Sequence, residues 1–401
     1  MAARITKRTL VGFRDVGDER VNIKPIKLVE EATGNREKLI KELKRPGFWH
    51  EGAKGEDMKF NAVVGNPPYQ KMGGSGGTND APIFQHFCNA AFDLDAESVS
   101  MIIPAKWFAA GRENLLAGFR KRMLSESHLN VLKVFPNSRE VFPNVEIKGG
   151  VCYFLQTKGY GGACNYAIKD GAVTHEQKMA LDSFDILIRD PRLAAIVKKV
   201  VDAAKKNKES FADTIISSDT PFGIPTNPRT SKKTPFPVSD ECKGKFDTKL
   251  YLWDKGKRQV AYVRKADVHK NAADIDSPKV FIPGAGGSGN DPNVLGQPIV
   301  AEAGSVCSQT FLYAKFGTKK QSENFAAYLK TRFVRALVSA VKITQHAQSP
   351  VYRFVPLQDF TSKSDIDWSK GVGEIDRQLY AKYKLTTEEV GFIESMIKPM
   401  E

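Results

Sequence analysis

Ten consecutive residues of this 401-residue chain gather side chains suited to one kind of chemistry. Phe60-Asn61-Ala62-Val63-Val64 is a short, mostly apolar run, and Gly65-Asn66-Pro67-Pro68-Tyr69 follows it directly. The run reads as a buried parallel strand that stops abruptly and presents Asn66 and Tyr69 at its carboxyl end. In open α/β sheets, ligands sit at that end. The two prolines fix φ and remove two backbone donors, so the loop is stiff and joins neither a helix nor a ladder. A side-chain amide, unpaired backbone carbonyls and an aromatic face suit gripping a flat ring that bears an exocyclic amine.

Asn66-Pro67-Pro68-Tyr69 after an apolar strand resembles the catalytic motif of the amino-group DNA methyltransferases, specifically the N6-adenine enzymes of restriction-modification systems. The resemblance implies S-adenosylmethionine as cofactor, double-stranded DNA as partner, and a Rossmann-like α/β fold. It implies that Asn66 and the Pro67 carbonyl accept hydrogen bonds from adenine N6, drawing the nitrogen toward sp³ geometry without a strong general base. It further implies that Tyr69 stacks on a base that has left the duplex. Phe142, in Val141-Phe142-Pro143, is the expected platform for the other face, core packing being the alternative. Phe87 matches a position that packs on the cofactor adenine in relatives, although at helical spacing a core role is the default.

The elements that must position these residues follow in order. Pro82–Leu94 reads as a helix, Val99–Pro104 as a second strand, Asn114–Leu124 as a basic amphipathic helix, Leu129–Phe135 as a third strand and Val151–Leu155 as a fourth. Strand and helix periods alternate, predicting a parallel α/β sheet. Gly73–Thr78 is expected to be a lid or surface loop, since no Gly-Lys-Ser/Thr follows it. Glu146-x-Lys148 imitates half of a nuclease motif but lacks a preceding Asp, so nuclease activity is excluded.

Composition points the same way. A net charge of +14 favours a polyanionic partner, nucleic acid before membrane. Five scattered cysteines without a C-x-x-C pair suggest free thiols of a reducing cytosol, and dispersed histidines argue against a metal site. No apolar run is long enough for a transmembrane helix.

From about residue 185 the chain turns basic and then loop-rich, with short strand-like runs at Lys249–Trp253, Val260–Val263 and Val280–Pro283. Ser322–Lys342 reads as one long helix capped by Ser322. Between Lys315 and Arg353 stand eight Lys/Arg and one acid, Glu323. The region resembles the target-recognition domains of these methyltransferases. On that resemblance Lys319, Lys320, Arg332, Arg335 and Lys342 are expected on phosphates, with Gln345, His346, Gln348 and Arg353 near base edges. Ile375–Lys398 reads as two short helices, the second started by a Thr386/Glu389 capping box.

The expected organisation is an amino-terminal remnant or linker over 1–59, a catalytic half over 60–184, a target-recognition domain over 185–360 and a helical segment over 361–401. The family's cofactor signature, a Gly-x-Gly turn after an earlier strand, has no counterpart in residues 1–59, where Val11-Gly12-Phe13 offers one glycine. The expectation is therefore an incomplete methyltransferase sheet. It awaits a separate amino-terminal half or restriction subunit as partner, and is inactive alone. The alternative is a non-catalytic DNA-binding specificity module with a vestigial strand.

Overall fold

The computed structural model describes residues 32–70, 81–108, 115–126, 128–147, 149–231, 235–254, 256–287, 291–342 and 345–400. Gly73–Thr78, Val11–Phe13, Asn114 and Lys148 lie outside them. The chain forms two compact units, Met1–Leu187 and Ile188–Glu401.

In the first unit, α1 (Arg36–Lys44) starts at Asn35, whose side chain accepts the Lys38 N–H at 3.0 Å. Its Leu39 and Leu43 pack with Ile83, Phe87, Ala90 and Leu94 along α2 (Phe84–Asp93). That spacing is one helical stripe, so the segment before the motif strand builds core and is more than a linker. Arg36 joins the helices through Asp93 at 2.7 Å.

The sheet has six strands in the order β1-β2-β4-β3-β5-β6: β1 (Ala62–Gly65), β2 (Ser98–Pro104), β3 (Leu129–Phe135), β4 (Val151–Thr157), β5 (Cys164–Asp170) and β6 (Val173–Met179). It is mixed, correcting the parallel expectation. β1 is parallel to β2, β4 is antiparallel to both β2 and β3, and β3 is parallel to β5. The physical reason is the link between β3 and β4. Its described residues hold only a 3₁₀ turn at Ser138–Glu140, so it supplies no crossover helix and β4 returns antiparallel beside β3. The β5–β6 hairpin went unread because β6 is a polar, largely exposed edge strand, Val-Thr-His-Glu-Gln-Lys-Met. The helix expected over Asn114–Leu124 is α3 (Ala117–Lys121) followed by a π-turn at Arg122–Glu126.

β1 departs from expectation too. It pairs with β2 from Ala62↔Ser98 to Gly65↔Met101 and has no partner on its other side among the described residues. Val64 is 76% exposed. Among the described residues the motif strand is thus an exposed edge strand, where a buried strand was expected.

The second unit begins with α4 (Pro191–Lys206), whose Leu193, Ile196, Val197, Val200 and Val201 face inward. Its β structure is two three-stranded sheets. One is β11 (Ser305–Cys307), β7 (Thr248–Asp254) and β8 (Lys257–Val263); the other is β10 (Ile299–Ala301), β9 (Lys279–Pro283) and β12 (Phe311–Lys315). The long helix expected over Ser322–Lys342 is two: α5 (Lys319–Lys330) and α6 (Arg332–Ser339). Thr318, not Ser322, caps α5 in a capping box with Gln321. Thr331 turns extended (φ −61°, ψ 147°) and caps α6 through the Val334 N–H at 3.2 Å. The break is sealed from far away in sequence, where Asp376 accepts the N–H groups of Arg332 and Phe333 at 3.0 and 2.9 Å. α7 (Val372–Lys382) and α8 (Thr387–Met396) complete the unit, and the Thr386/Glu389 capping box is present as read. α7 packs on α5 and α6, with the Phe333 and Tyr383 rings stacked at 5.1 Å. The last forty residues therefore belong to the second unit's core.

Candidate active site and nucleic-acid interface

β1, β2 and β3 run in one direction, so their carboxyl ends, Gly65, Pro104 and Phe135, share one end of the sheet. The loops that leave there carry Asn66–Tyr69, Ala105–Phe108 and residues 136–150. Topology thus brings the Asn66–Tyr69 loop and the Phe142 loop to the same sheet end.

Asn66 is exposed, and its side chain makes no hydrogen bond among the described residues. Its amide is free for a ligand. Pro67 is buried and anchors the loop, whereas Pro68 is exposed. The Tyr69 carbonyl accepts the Ile83 N–H at 3.2 Å, and an antiparallel bridge between Gln70 and Pro82 closes the neck of the following loop. The Asn66–Tyr69 turn is thereby tied at both ends, to β1 and to the start of α2.

Tyr69 is half-buried with its hydroxyl inward, where that oxygen finds no partner among the described residues. Burial, with a smaller contribution from Cys152, pushes the phenol up to about 12. The hydroxyl keeps its proton through the neutral range. The Cys88 and Met101 sulfurs lie 3.7 Å apart under β2, and burial raises the Cys88 thiol far above its usual range. This is packing, not nucleophilic chemistry.

Phe142 is half-buried in a loop held by one side chain. The Ser138 hydroxyl accepts the Ile147 N–H at 2.8 Å and donates to the Val145 carbonyl at 3.1 Å, while the Ser138 carbonyl accepts the Phe142 N–H at 2.8 Å. Ser138 is buried, and sequence reasoning missed it because a lone serine carries no periodic signal. Gly150, at φ +79°, ends the loop where a Cβ would meet the Phe135 and Pro136 carbonyls. Glu146 is engaged by Arg139 at 3.0 Å, and among the described residues no group of His, Cys, Asp or Glu is arranged for a metal.

Phe87 takes the core role that is its default at helical spacing. It is 5% exposed and packed between α1 and α2, so protein side chains already occupy its surroundings. Among the described residues no strand precedes β1, and the glycines at positive φ there, Gly52 and Gly55, do not follow one.

In the second unit the basic residues separate into two kinds. Lys319 and Lys320 are exposed at the start of α5, and Gln345 and His346 are exposed beside the Gly284–Gly287 loop. There the Gly286 N–H donates to the Gln345 carbonyl at 2.8 Å and the Ala347 N–H to the Gly284 carbonyl at 2.9 Å. Arg353 and Gln348 are half-buried. Arg335 and Lys342 do not belong with them. Arg335 is fully buried and donates to the carbonyls of Lys330, Thr331, Asn293 and Lys398. Lys342 is buried and donates to the carbonyls of Gly287 and Val294, and its burial lowers its pKa to about 8. Both are corrected from phosphate contacts to internal cross-links. Arg332 reaches Glu394 at 3.1 Å and Lys315 reaches Asp274 at 2.8 Å, so acids distant in sequence offset the local basic excess.

The sequence model of the Eco57I restriction-modification methylase family matches residues 1–142, the stretch that carries the Asn66–Tyr69 turn. An uncharacterized adenine-specific methylase of Mycoplasma pneumoniae is 41% identical over 107 residues. This part of the chain is similar to restriction-modification adenine methylases. The match spans 26% of this chain and about a quarter of that relative, 25% of its length. Among solved structures, the type IIL restriction-modification enzyme MmeI in complex with DNA is similar at a TM-score of 0.47 and 9% identity, over 84% of this chain and 56% of that one. The type IIG restriction endonuclease BpuSI is similar at a TM-score of 0.32 and 12% identity, over 84% and 53%. The matched stretch includes β1, α2, β2 and β3 and ends at the Phe142 loop. No helix among the described residues is long and apolar enough to cross a membrane.

Proposed function

We propose that the chain is the base-binding and target-recognition part of a site-specific DNA methyltransferase acting on adenine N6, with S-adenosylmethionine as methyl donor. The observation that carries this reading is the exposed, unbonded Asn66 amide on a proline-stiffened turn at the carboxyl end of β1. Adenine N6 is a poor nucleophile because its lone pair is delocalised into the ring. An amide oxygen and the Pro67 carbonyl, carried on a turn whose backbone is tied at both ends, accept its two N–H groups and draw electron density back onto nitrogen. The Tyr69 ring and Phe142 supply apolar faces for a base removed from its stack. The second unit positions the duplex through Lys319 and Lys320 and reads it through Gln345, His346 and Arg353.

The cofactor is held elsewhere on this reading. The free side of β1 is where the cofactor-binding strands join, brought by a methyltransferase half that pairs with Ala62–Gly65. An exposed apolar strand edge is otherwise an aggregation site. The reading is tested by incubating duplex DNA and labelled S-adenosylmethionine with the chain and such a half. N6-methyladenine in the hydrolysed DNA is expected from wild type and strongly reduced from Asn66→Ala. Equal methylation by both overturns the assignment of Asn66.

A further inference from the structure

The β7–β8 hairpin turns two different faces. Leu250, Leu252, Ala261 and Val263 are buried in the second unit's core. The register pairs Lys249 with Tyr262, Tyr251 with Val260 and Trp253 with Arg258, so these six share the opposite face. At the base of the hairpin that face is covered. Tyr251 packs on Phe281 with centroids 5.2 Å apart, and Lys249 pairs with Glu302 at 2.9 Å.

Toward the tip the cover ends. Trp253 is 46% exposed and its diagonal neighbour Val260 is 44% exposed. Arg258, opposite Trp253, is held by the Gln297 carbonyl at 2.5 Å, and Lys257 is exposed and makes no ion pair among the described residues. Gly256 at φ +75° makes the turn. Single exposed hydrophobics need no explanation, but a tryptophan and a valine side by side, rimmed by cations, mark a contact surface. The charge selects the occupant. Residues 253–258 carry Lys255, Lys257 and Arg258 against Asp254 alone, in a chain of net charge +14.

We propose that the hairpin tip is a contact to duplex DNA, a proposal that rests on the reading of the chain as a DNA-modifying protein. A two-stranded ribbon fits a DNA groove. Trp253 and Val260 lie against sugars and base edges, and Lys257 meets a flanking phosphate. In the sequence Lys249–Trp253 reads only as a strand-like run, and Trp253 is not singled out.

The protein carries its own reporter. Of its four tryptophans, Trp107 and Trp368 are buried and Trp49 is half-buried, leaving Trp253 the most accessible to a quencher. The full chain is titrated with a mixed-sequence duplex at low salt while acrylamide quenching and binding are followed. DNA is expected to protect the emission, and Trp253→Phe to remove most of the quenchable fraction. Trp253→Ala is expected to weaken binding about tenfold, in line with loss of one aromatic contact to nucleic acid, and Lys257→Ala to lower the salt slope by about 1. Binding that leaves Trp253 quenchable and is unchanged in Trp253→Ala overturns the hairpin proposal and leaves the DNA reading standing. Absence of salt-dependent DNA binding by wild type overturns the DNA reading itself. Protection that appears without DNA, as protein concentration rises, overturns the proposal in favour of self-association.

Discussion

β1 and β9 are short apolar strands that look alike in sequence, Ala-Val-Val-Gly against Lys-Val-Phe-Ile-Pro, yet they stand at opposite extremes of burial. β9 is paired on both sides, by β10 and β12, and its Val280 and Phe281 are wholly buried. β1 is paired only by β2 among the described residues, and its Val64 is 76% exposed. The difference teaches that an apolar run declares a strand but not its neighbours. β9 holds its unit together. β1 contributes little burial and instead delivers a loop, so its apolar surface is available to a partner.

The largest expected effect separates chemistry from folding. Asn66→Ala, assayed with the cofactor half supplied, should lose two to four orders of magnitude in methyl transfer, about 3–5 kcal/mol of transition-state stabilisation. Its urea unfolding curve and its DNA affinity should stay as in wild type. Loss of stability alongside activity would place Asn66 in the fold and collapse the contrast with β9.

The reverse outcome is expected at β9. Phe281→Ala should lower the unfolding free energy by about 3–5 kcal/mol, whereas Val64→Ala should change it by less than about 0.5 kcal/mol. Val64→Asp should then leave the isolated chain folded while blocking its association with the cofactor half, measured by analytical ultracentrifugation. Equal costs for Phe281→Ala and Val64→Ala would mean that β1 is covered in solution.

Tyr69 refines the site. Its hydroxyl is buried without a partner among the described residues, so Tyr69→Phe removes an unsatisfied group and should be silent or slightly stabilising. Tyr69→Ala should be strongly impaired, since the ring is lost. Equal damage from both, read as turnover and as 2-aminopurine fluorescence, would assign the function to the hydroxyl instead.

The smallest effect concerns Asp376, where burial raises the carboxyl from 3.8 to about 6 despite the two N–H groups of α6 that it accepts. Below about pH 4 both folded and unfolded chains hold this proton. Between about 4 and 6 the folded chain retains a proton that the unfolded chain has released, so the group's stabilising contribution fades as pH rises and is gone above about 6. Relative to Asp376→Asn, wild type should lose about 1–3 kcal/mol across that window and change no further above it. A flat difference from pH 4 to 7 would contradict the burial seen here.

The strand end and the loop that follows it were legible because their signal is local. The stop at Gly65, the two prolines and the flanking Asn66 and Tyr69 need only their own sequence to declare a strand end and a stiff loop. β3 was readable to the residue, and the Thr386/Glu389 box likewise, because both are set by neighbours a few positions away. What was not legible depends on distant partners. The break at Thr331 is sealed by Asp376. Arg335 and Lys342 look like a basic face until carbonyls from Asn293, Val294 and Lys398 enclose them. Phe87 is claimed by Leu39 and Leu43, whose helical stretch was readable but whose packing partner was not. The hydroxyl of Ser138 holds the Phe142 loop without any pattern around it.

The account's central claim is that β1 presents the base-gripping turn on an edge that still needs its cofactor-binding neighbours. Calorimetric titration of the purified chain with S-adenosylmethionine tests it most directly. A glycine turn and a ribose-binding acid each contribute hydrogen bonds worth about 0.5–1.5 kcal/mol or more when charged. On the proposed reading the chain supplies neither, and the affinity should fall from micromolar to millimolar or weaker. The expected result is no measurable heat at micromolar concentrations, with binding restored when the cofactor half is added. One cofactor bound per chain at micromolar affinity, by this protein alone, would contradict the claim.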